Sequence, residues 1–462
     1  MSSQTNVFLR GALGVTYART ALPIIFVMGL NGLLAVMDAL FLGHFAGPDA
    51  LAAVTLMFPL YMLVVALATL VSSGMSSILA RRLGAGQVGH AQAVFAGAHG
   101  LALTMGLGLI ALFATFGRPV AILVAGGSVA LAEMGLIYLQ ITAVAAPLVF
   151  VLSINSDALR NEGRVGLMAL ISIFVSLCNM ALNYLFIGVW DWGVAGSAYG
   201  TALAQALALC AVLSFRIWGD TPLRPSSVWR QNPLCGWRPM IALGAPQSLN
   251  FVGLALGSAA IIAALQWVET PNYDATVSAY GIFTRVITFT FLPLLGLAHA
   301  MQSITGNTFG AGNFARSDAS LKTALGIALA YCVTIQVIVT LFASEIGAFF
   351  VDDPSVIAQL SRILPIMAVT FFLSGPLMII AMHFQAIGDA PRAALLGLSK
   401  PYLFAIPLTF ALATLIGEPG IWLAGPVAEL LLLVLTVGVL ARRAQQGGDR
   451  LGIFAARQAV LA

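Results

Sequence analysis

Apolar stretches of about 20 residues recur along this chain, separated by short segments rich in Gly, Pro and Arg, and that alternation sets its architecture. Twelve such stretches lie at about residues 19–43, 51–75, 92–116, 133–156, 167–189, 193–216, 241–266, 276–303, 320–346, 357–382, 394–416 and 420–441. Each is long enough to cross a bilayer as a helix. None shows the short alternating pattern of a barrel strand. The pattern predicts an all-α polytopic membrane protein of twelve transmembrane helices.

The chain also repeats itself. Arg82-Leu-Gly-Ala-Gly-Gln87, after span two, recurs as Thr308-Phe-Gly-Ala-Gly-Asn313, after span eight and 226 residues on. At the same offset Leu51-Ala-Ala-Val54 meets Val277-Ser-Ala-Tyr280, and Leu159-Arg-Asn-Glu-Gly163 meets Phe384-Gln-Ala-Ile-Gly388 at 225. An even number of spans separates the copies, so the repeats run parallel, an architecture that binds substrate between halves. Near the midpoint lies the longest polar connection, rich in Pro, Trp and Arg. These features predict two pseudo-symmetric six-helix bundles, residues 1–216 and 241–462, joined by a linker over 217–240.

Composition narrows the class. Only 8% of the 462 residues are charged while 60% are hydrophobic, too little charge to cover a water-soluble domain of this size. The N-terminal residues do not have the form of a cleavable signal. Arginine and lysine fall in or beside alternate connections: Arg10 and Arg19, Arg81 and Arg82, Arg160 and Arg164, Arg224, Arg230 and Arg238, then Arg316, Lys322, Arg392, Lys400, Arg442, Arg443, Arg450 and Arg457. The opposite connections hold Arg118, with Arg362 just inside span ten, and little else. Both termini are therefore expected on the cytoplasmic side. The net charge of +4 needs no nucleic acid to explain it. The four cysteines form no CxxC pair and the five histidines no HExxH cluster, so neither metal nor disulfide is expected.

One carboxylate, Asp38, stands near the end of span one. A charge there costs roughly 3 kcal/mol on insertion scales, so it is a functional candidate ahead of a structural carboxylate near the surface. Its counterpart region, Ile261 to Ala264, holds no acid, so its role belongs to the first half alone. Asn31 lies two turns before it. Asn179 and Asn183 share one face of span five, Thr201 and Gln205 one face of span six, and Asn155 lies near the end of span four. Amides and hydroxyls of this kind bond an ionised carboxylate and rearrange when it is protonated; singly, each is ordinary helix–helix glue. Pro23 is the candidate hinge, because a bend there repositions Asp38. In the second half Arg285 and Glu429 lie within spans. They read either as an interior pair or substrate contact, or as snorkelling and fixed structural charges.

The chain resembles the multidrug and toxic compound extrusion family over nearly its whole length. The resemblance rests on Val36-Met-Asp-Ala-Leu-Phe-Leu-Gly-His44 leading to Ala50-Leu-Ala-Ala-Val54, on the two Gly-Ala-Gly loops, and on Leu159 to Arg164, where Asn161 and Glu162 depart from the family's usual residues. It implies export of cationic or amphipathic organic compounds driven by inward proton or sodium flow, with no cofactor. The N-lobe residues look closest to the prokaryotic DinF-like branch. That resemblance implies a network of Asp38, Tyr138, Asn155, Asn179, Asn183 and Thr201. Where the branch often has a second aspartate this chain has Asn183, so Asp38 would titrate alone. The NorM-like branch uses acids in spans seven and ten, whereas here span ten has none and span seven offers only Glu269.

The expectation is thus a proton-coupled multidrug antiporter, not an enzyme. It is expected to be a monomer in the bilayer of the inner membrane, with small organic molecules rather than nucleic acid as partners. Sodium coupling at the same network is the first alternative. A lipid-linked precursor flippase is a weaker one, since no extra helices or strongly cationic cavity are evident.

Overall fold

The computed structural model describes residues 6–126, 128–447 and 451–454; Arg450 and Arg457 lie outside the described residues. Among the described residues the chain is helices and turns, with no β-strand. The first half holds α1 (Leu13–Phe41), α2 (Pro48–Gly84), α3 (Val88–Val124), α4 (Val129–Asn161), α5 (Val165–Asn183), α6 (Gly193–Trp218) and the short α7 (Pro225–Arg230). The second holds α8 (Trp237–Trp267), α9 (Tyr273–Gly310), α10 (Phe314–Leu341), α11 (Ala343–Phe350), α12 (Pro354–Ala368), α13 (Phe371–Ile387), α14 (Ala390–Leu398), α15 (Ile406–Ile416) and α16 (Glu418–Gly447).

Eleven helical stretches among the described residues are long and apolar enough to cross a membrane. Together α12 and α13, bent by 45°, supply a twelfth. The break has a physical repair. Gln336 of α10 donates to the Val369 carbonyl at 2.9 Å and accepts from the Phe372 N–H at 2.9 Å, satisfying backbone groups that the interruption frees. Large apolar side chains such as Leu107, Leu123 and Leu254 are exposed, the inverse of a water-soluble surface.

The repeat read from sequence recurs in the backbone. Gly86 and Gly312 both adopt left-handed φ, +70° and +72°, the conformation glycine reaches without strain after a helix. Around them, Gln87 N–H donates to the Arg82 carbonyl and Asn313 N–H to the Thr308 carbonyl, each at 2.9 Å. Among the described residues three segments turn π-helical instead of staying α: Leu42–Ala46 after α1, Tyr184–Val189 after α5, and Ser399–Ala405 between α14 and α15.

The chain divides into two compact units. Among the described residues, one holds 6–10 and Leu22–Ser248, the other Gly11–Ala21 and those from Leu249 on. In the first, α4 packs against α2, α3 and α6, and Met57, Ala121 and Leu139 form part of its core. In the second, α9 packs against α10, α12 and α13, with Leu360, Ile363 and Trp422 in the core. The start of α1 joins this second unit through Tyr17, whose hydroxyl lies 3.0 Å from the Ser320 carbonyl, and through Arg316, which donates to the Gly11 carbonyl at 2.8 Å.

These boundaries differ from the 217–240 linker drawn from sequence, because that segment packs on the first unit. Gln92 of α3 donates to the Pro222 carbonyl at 2.8 Å, and the Trp237 indole donates to the Gly97 carbonyl at 2.9 Å. A Cβ at Gly97 would clash with the Cys235 carbonyl, so the close approach needs glycine there.

Candidate functional site

Asp38 lies in the last turn of α1, four residues before that helix turns π-helical. Asn183 is the last residue of α5, immediately before a second π-helical turn. Such turns frequently mark functional positions. Asn183 Nδ2 donates to Asp38 Oδ1 at 2.6 Å and lies 3.3 Å from Asn179 Oδ1. Both neighbours are acceptor oxygens, and this fixes the orientation of the Asn183 amide. Asn179 Nδ2 in turn donates to Thr201 Oγ1 of α6 at 2.9 Å. Three hydrogen bonds therefore run from α1 through α5 to α6.

Packing holds this chain of bonds in place. Asn179 and Asn183 are one helical turn apart on one face and buried, at 3% and 0% exposure. The residue before Thr201 is Gly200, where a Cβ would clash with Asn183 Oδ1. That same oxygen is buried and has no hydrogen-bond partner among the described residues. Tyr61 of α2 and Tyr138 of α4 lie within electrostatic reach of Asp38. Tyr138 also packs on the cluster of Leu42, Ala50 and Ile187. An ionised carboxylate accepts only, whereas a protonated one must also donate. The arrangement can therefore change its bonding with one proton.

The MatE family model matches residues 23–185 and 250–411, most of the chain. The protein belongs to the MatE family. Among its relatives, the "FAD transporter" of Shewanella oneidensis is 24% identical over 92% of this chain and 93% of its own length. The "Probable multidrug resistance protein YoeA" of Bacillus subtilis is 24% identical over 88% of each chain. A solved structure described as MATE in the bent conformation superposes with a TM-score of 0.85 at 22% identity, covering 94% of this chain and 96% of that one. The protein is thus a multi-pass member of a family of multidrug efflux transporters, not of an enzyme family.

Not every candidate residue of this MatE protein joins the Asp38 network. Asn31 is exposed and Gln205 half-buried, and neither enters the chain of bonds among the described residues. Pro23 lies inside a continuous α1, two residues after the point where contacts pass from the second unit to the first.

Asn155 belongs to a different network, built on Arg216 at the end of α6. Arg216 Nε donates to Asn155 Oδ1 at 2.7 Å, and Asn155 Nδ2 lies 3.2 Å from His99 Nε2. His99 Nδ1 lies 2.8 Å from the Phe95 carbonyl, an acceptor. Nδ1 therefore carries the proton and Nε2 accepts from Asn155. Arg216 also pairs with Glu162 at 2.8 Å, both side chains fully buried, and stacks 4.9 Å above the Phe95 ring. Sequence reasoning missed Arg216. The signal was present: one base ends span six, and one acid, Glu162, stands where the family motif has another residue.

In the second unit the interior partner of Glu429 is Lys400, not Arg285, which is exposed on α9. The Glu429 side chain is 4% exposed and that of Lys400 34%. Lys400, inside span eleven as read from sequence, sits in the π-helical stretch of the Ala390–Ile416 span; its pairing with Glu429 is what the sequence did not show.

Proposed function

We propose that this MatE protein is a secondary active antiporter that exports cationic or amphipathic organic compounds in exchange for protons, with Asp38 as the coupling carboxylate. The observation that carries the reading is the Asp38–Asn183–Asn179–Thr201 chain with its unpartnered Asn183 oxygen. Ionised Asp38 is stabilised by the Asn183 amide and attracts a cationic substrate. A proton arriving from outside removes that charge and turns the carboxyl into a donor. The Asn183 oxygen is the acceptor available to it. To present that oxygen the amide must turn, which breaks its bond to Asp38 and disturbs Asn179 and Thr201. Substrate and proton thus compete for one carboxylate, the condition for obligatory exchange.

Pro23 supplies the mechanical element. It removes one backbone hydrogen bond from α1 and permits a bend that carries Asp38 with it. A sodium ion at the same place would require oxygens turned toward it, whereas Asn183 presents its NH₂ group to Asp38. Protons are therefore favoured. The arginine distribution supports an inner-membrane protein with both termini cytoplasmic.

The test is transport in liposomes under separately imposed proton and sodium gradients. Relatives are named for drugs and for FAD, so the panel includes a cationic dye and a flavin. Proton-driven dye movement that is lost in Asp38→Asn supports the reading. Sodium-driven movement replaces the coupling ion, and dye movement equal in both proteins overturns the role of Asp38.

A further inference from the structure

The segment between α6 and α8 displays side chains that neither the Asp38 network nor the bundle core uses. Trp218 is 82% exposed and Trp229, in α7, is 90% exposed, with Leu234 also bare. Interleaved with them are Arg224, Arg230 and Arg238, all exposed and none in an ion pair among the described residues. Between this segment and the start of α3 lies a cavity of about 430 Å³, lined by Gln92, Arg224, Ser226, Arg230 and Gln231 among others, with no carboxylate in its wall.

The floor of the cavity is held by the fold. Thr221 donates to Glu162 at 2.7 Å, the Leu223 carbonyl accepts from Arg216 at 3.0 Å, and the Pro222 carbonyl accepts from Gln92. Two guanidiniums with amide and hydroxyl donors suit an anion, since no carboxylate lines the wall and the Glu162 beneath it is paired with Arg216. Its position says which anion. The segment joins the ends of two spans, closing α6 at Trp218 and opening α8 at Trp237. It therefore runs along the membrane surface, where exposed indoles settle at headgroup level. A dissolved anion would engage the arginines and leave the tryptophans wet. A phospholipid engages both.

We infer that this cavity binds the phosphate headgroup of an anionic phospholipid and, with the exposed Trp218 and Trp229 nearby in the chain, seats the 219–236 segment on the bilayer surface. The site takes phosphatidylglycerol-type lipid in preference to phosphatidylcholine, because the zwitterionic headgroup brings its own cation against the arginines. It lies apart from the transport carboxylate and does not depend on the coupling ion.

The test uses the full-length protein, delipidated in detergent and offered equal phosphatidylglycerol and phosphatidylcholine, with retained lipid counted by native mass spectrometry. Arg224→Gln/Arg230→Gln is expected to lower the anionic preference by roughly 20- to 30-fold, about fivefold per arginine near a charged surface. Arg224→Lys/Arg230→Lys is expected to keep most of it. An unchanged preference in the Gln variant overturns the site. So does complete displacement of lipid by millimolar inorganic phosphate, which would mark a pocket for dissolved anions. If the Gln variant does not fold, fluorescence decides. The difference between wild type and Trp229→Phe isolates the Trp229 emission. Brominated phosphatidylglycerol is expected to quench it more than brominated phosphatidylcholine, and equal or absent quenching overturns the inference.

Discussion

Asn183 donates through Nδ2 to Asp38 Oδ1 at 2.6 Å, while its own amide oxygen is buried with no partner among the described residues. One side chain therefore solvates the carboxylate and holds an acceptor in reserve. Replacing the amide by a second carboxylate tests this division of roles. In Asn183→Asp two acids share one site and titrate as a coupled pair. The pH profile of transport is expected to change from a single step to two, measured as initial dye flux from pH 5 to 9. A single unchanged step would show that position 183 is not coupled to Asp38.

Gly200 is the contact that lets α6 close on Asn183. Gly200→Ala forces the new methyl against Asn183 Oδ1, an overpacking that costs about 1–3 kcal/mol. Transport is expected to fall by about tenfold or more while the protein still purifies as a folded species. Thermal melting in detergent with parallel flux assays separates the two effects.

The Arg216–Glu162 pair makes an opposite kind of prediction, one about stability. Both side chains are fully buried and share Thr221 as a further partner. Removing one partner leaves the other charge uncompensated, a cost of about 3–5 kcal/mol, whereas replacing both by apolar residues of similar volume is often neutral. Glu162→Gln and Arg216→Met are each expected to lower the melting temperature clearly, and Glu162→Leu/Arg216→Met to recover much of the loss.

Lys400 and Glu429 are unequal partners, since the lysine side chain is 34% exposed and the glutamate 4%. Lys400→Met strands a buried carboxylate, while Glu429→Gln leaves an ammonium that can snorkel outward. The lysine variant is expected to be the less stable of the two by melting temperature. The reverse order would contradict this assignment of the buried charge.

How much of this was readable in the sequence depended on what each residue's neighbours were. The spans and their repeat were legible because apolar periodicity and the Gly-Ala-Gly turns are local, and the left-handed Gly86 and Gly312 need only their own helix ends. Asp38, Asn179, Asn183 and Thr201 could be grouped because an acid in an apolar run is rare and a spacing of four fixes a face. Asn155 is just as polar and lies in the same bundle, but it bonds Arg216, 61 residues away. Periodicity gives a face, not a partner. Tyr61 gave no signal, since an aromatic residue in an apolar helix is ordinary. Lys400 lay within span eleven as read from sequence, but its pairing with Glu429 on another helix is again a partner that periodicity does not give.

Drug-induced proton release addresses the coupling role of Asp38 most directly. Purified protein in weakly buffered detergent is mixed with a saturating cationic dye, and the pH change is followed for wild type and Asp38→Asn. At a pH acidic enough to hold Asp38 protonated, wild type is expected to release about one proton per dye bound, as competition for a shared carboxylate requires, and Asp38→Asn to release none. Equal proton release from both proteins would contradict the account and place the coupling site elsewhere in the chain.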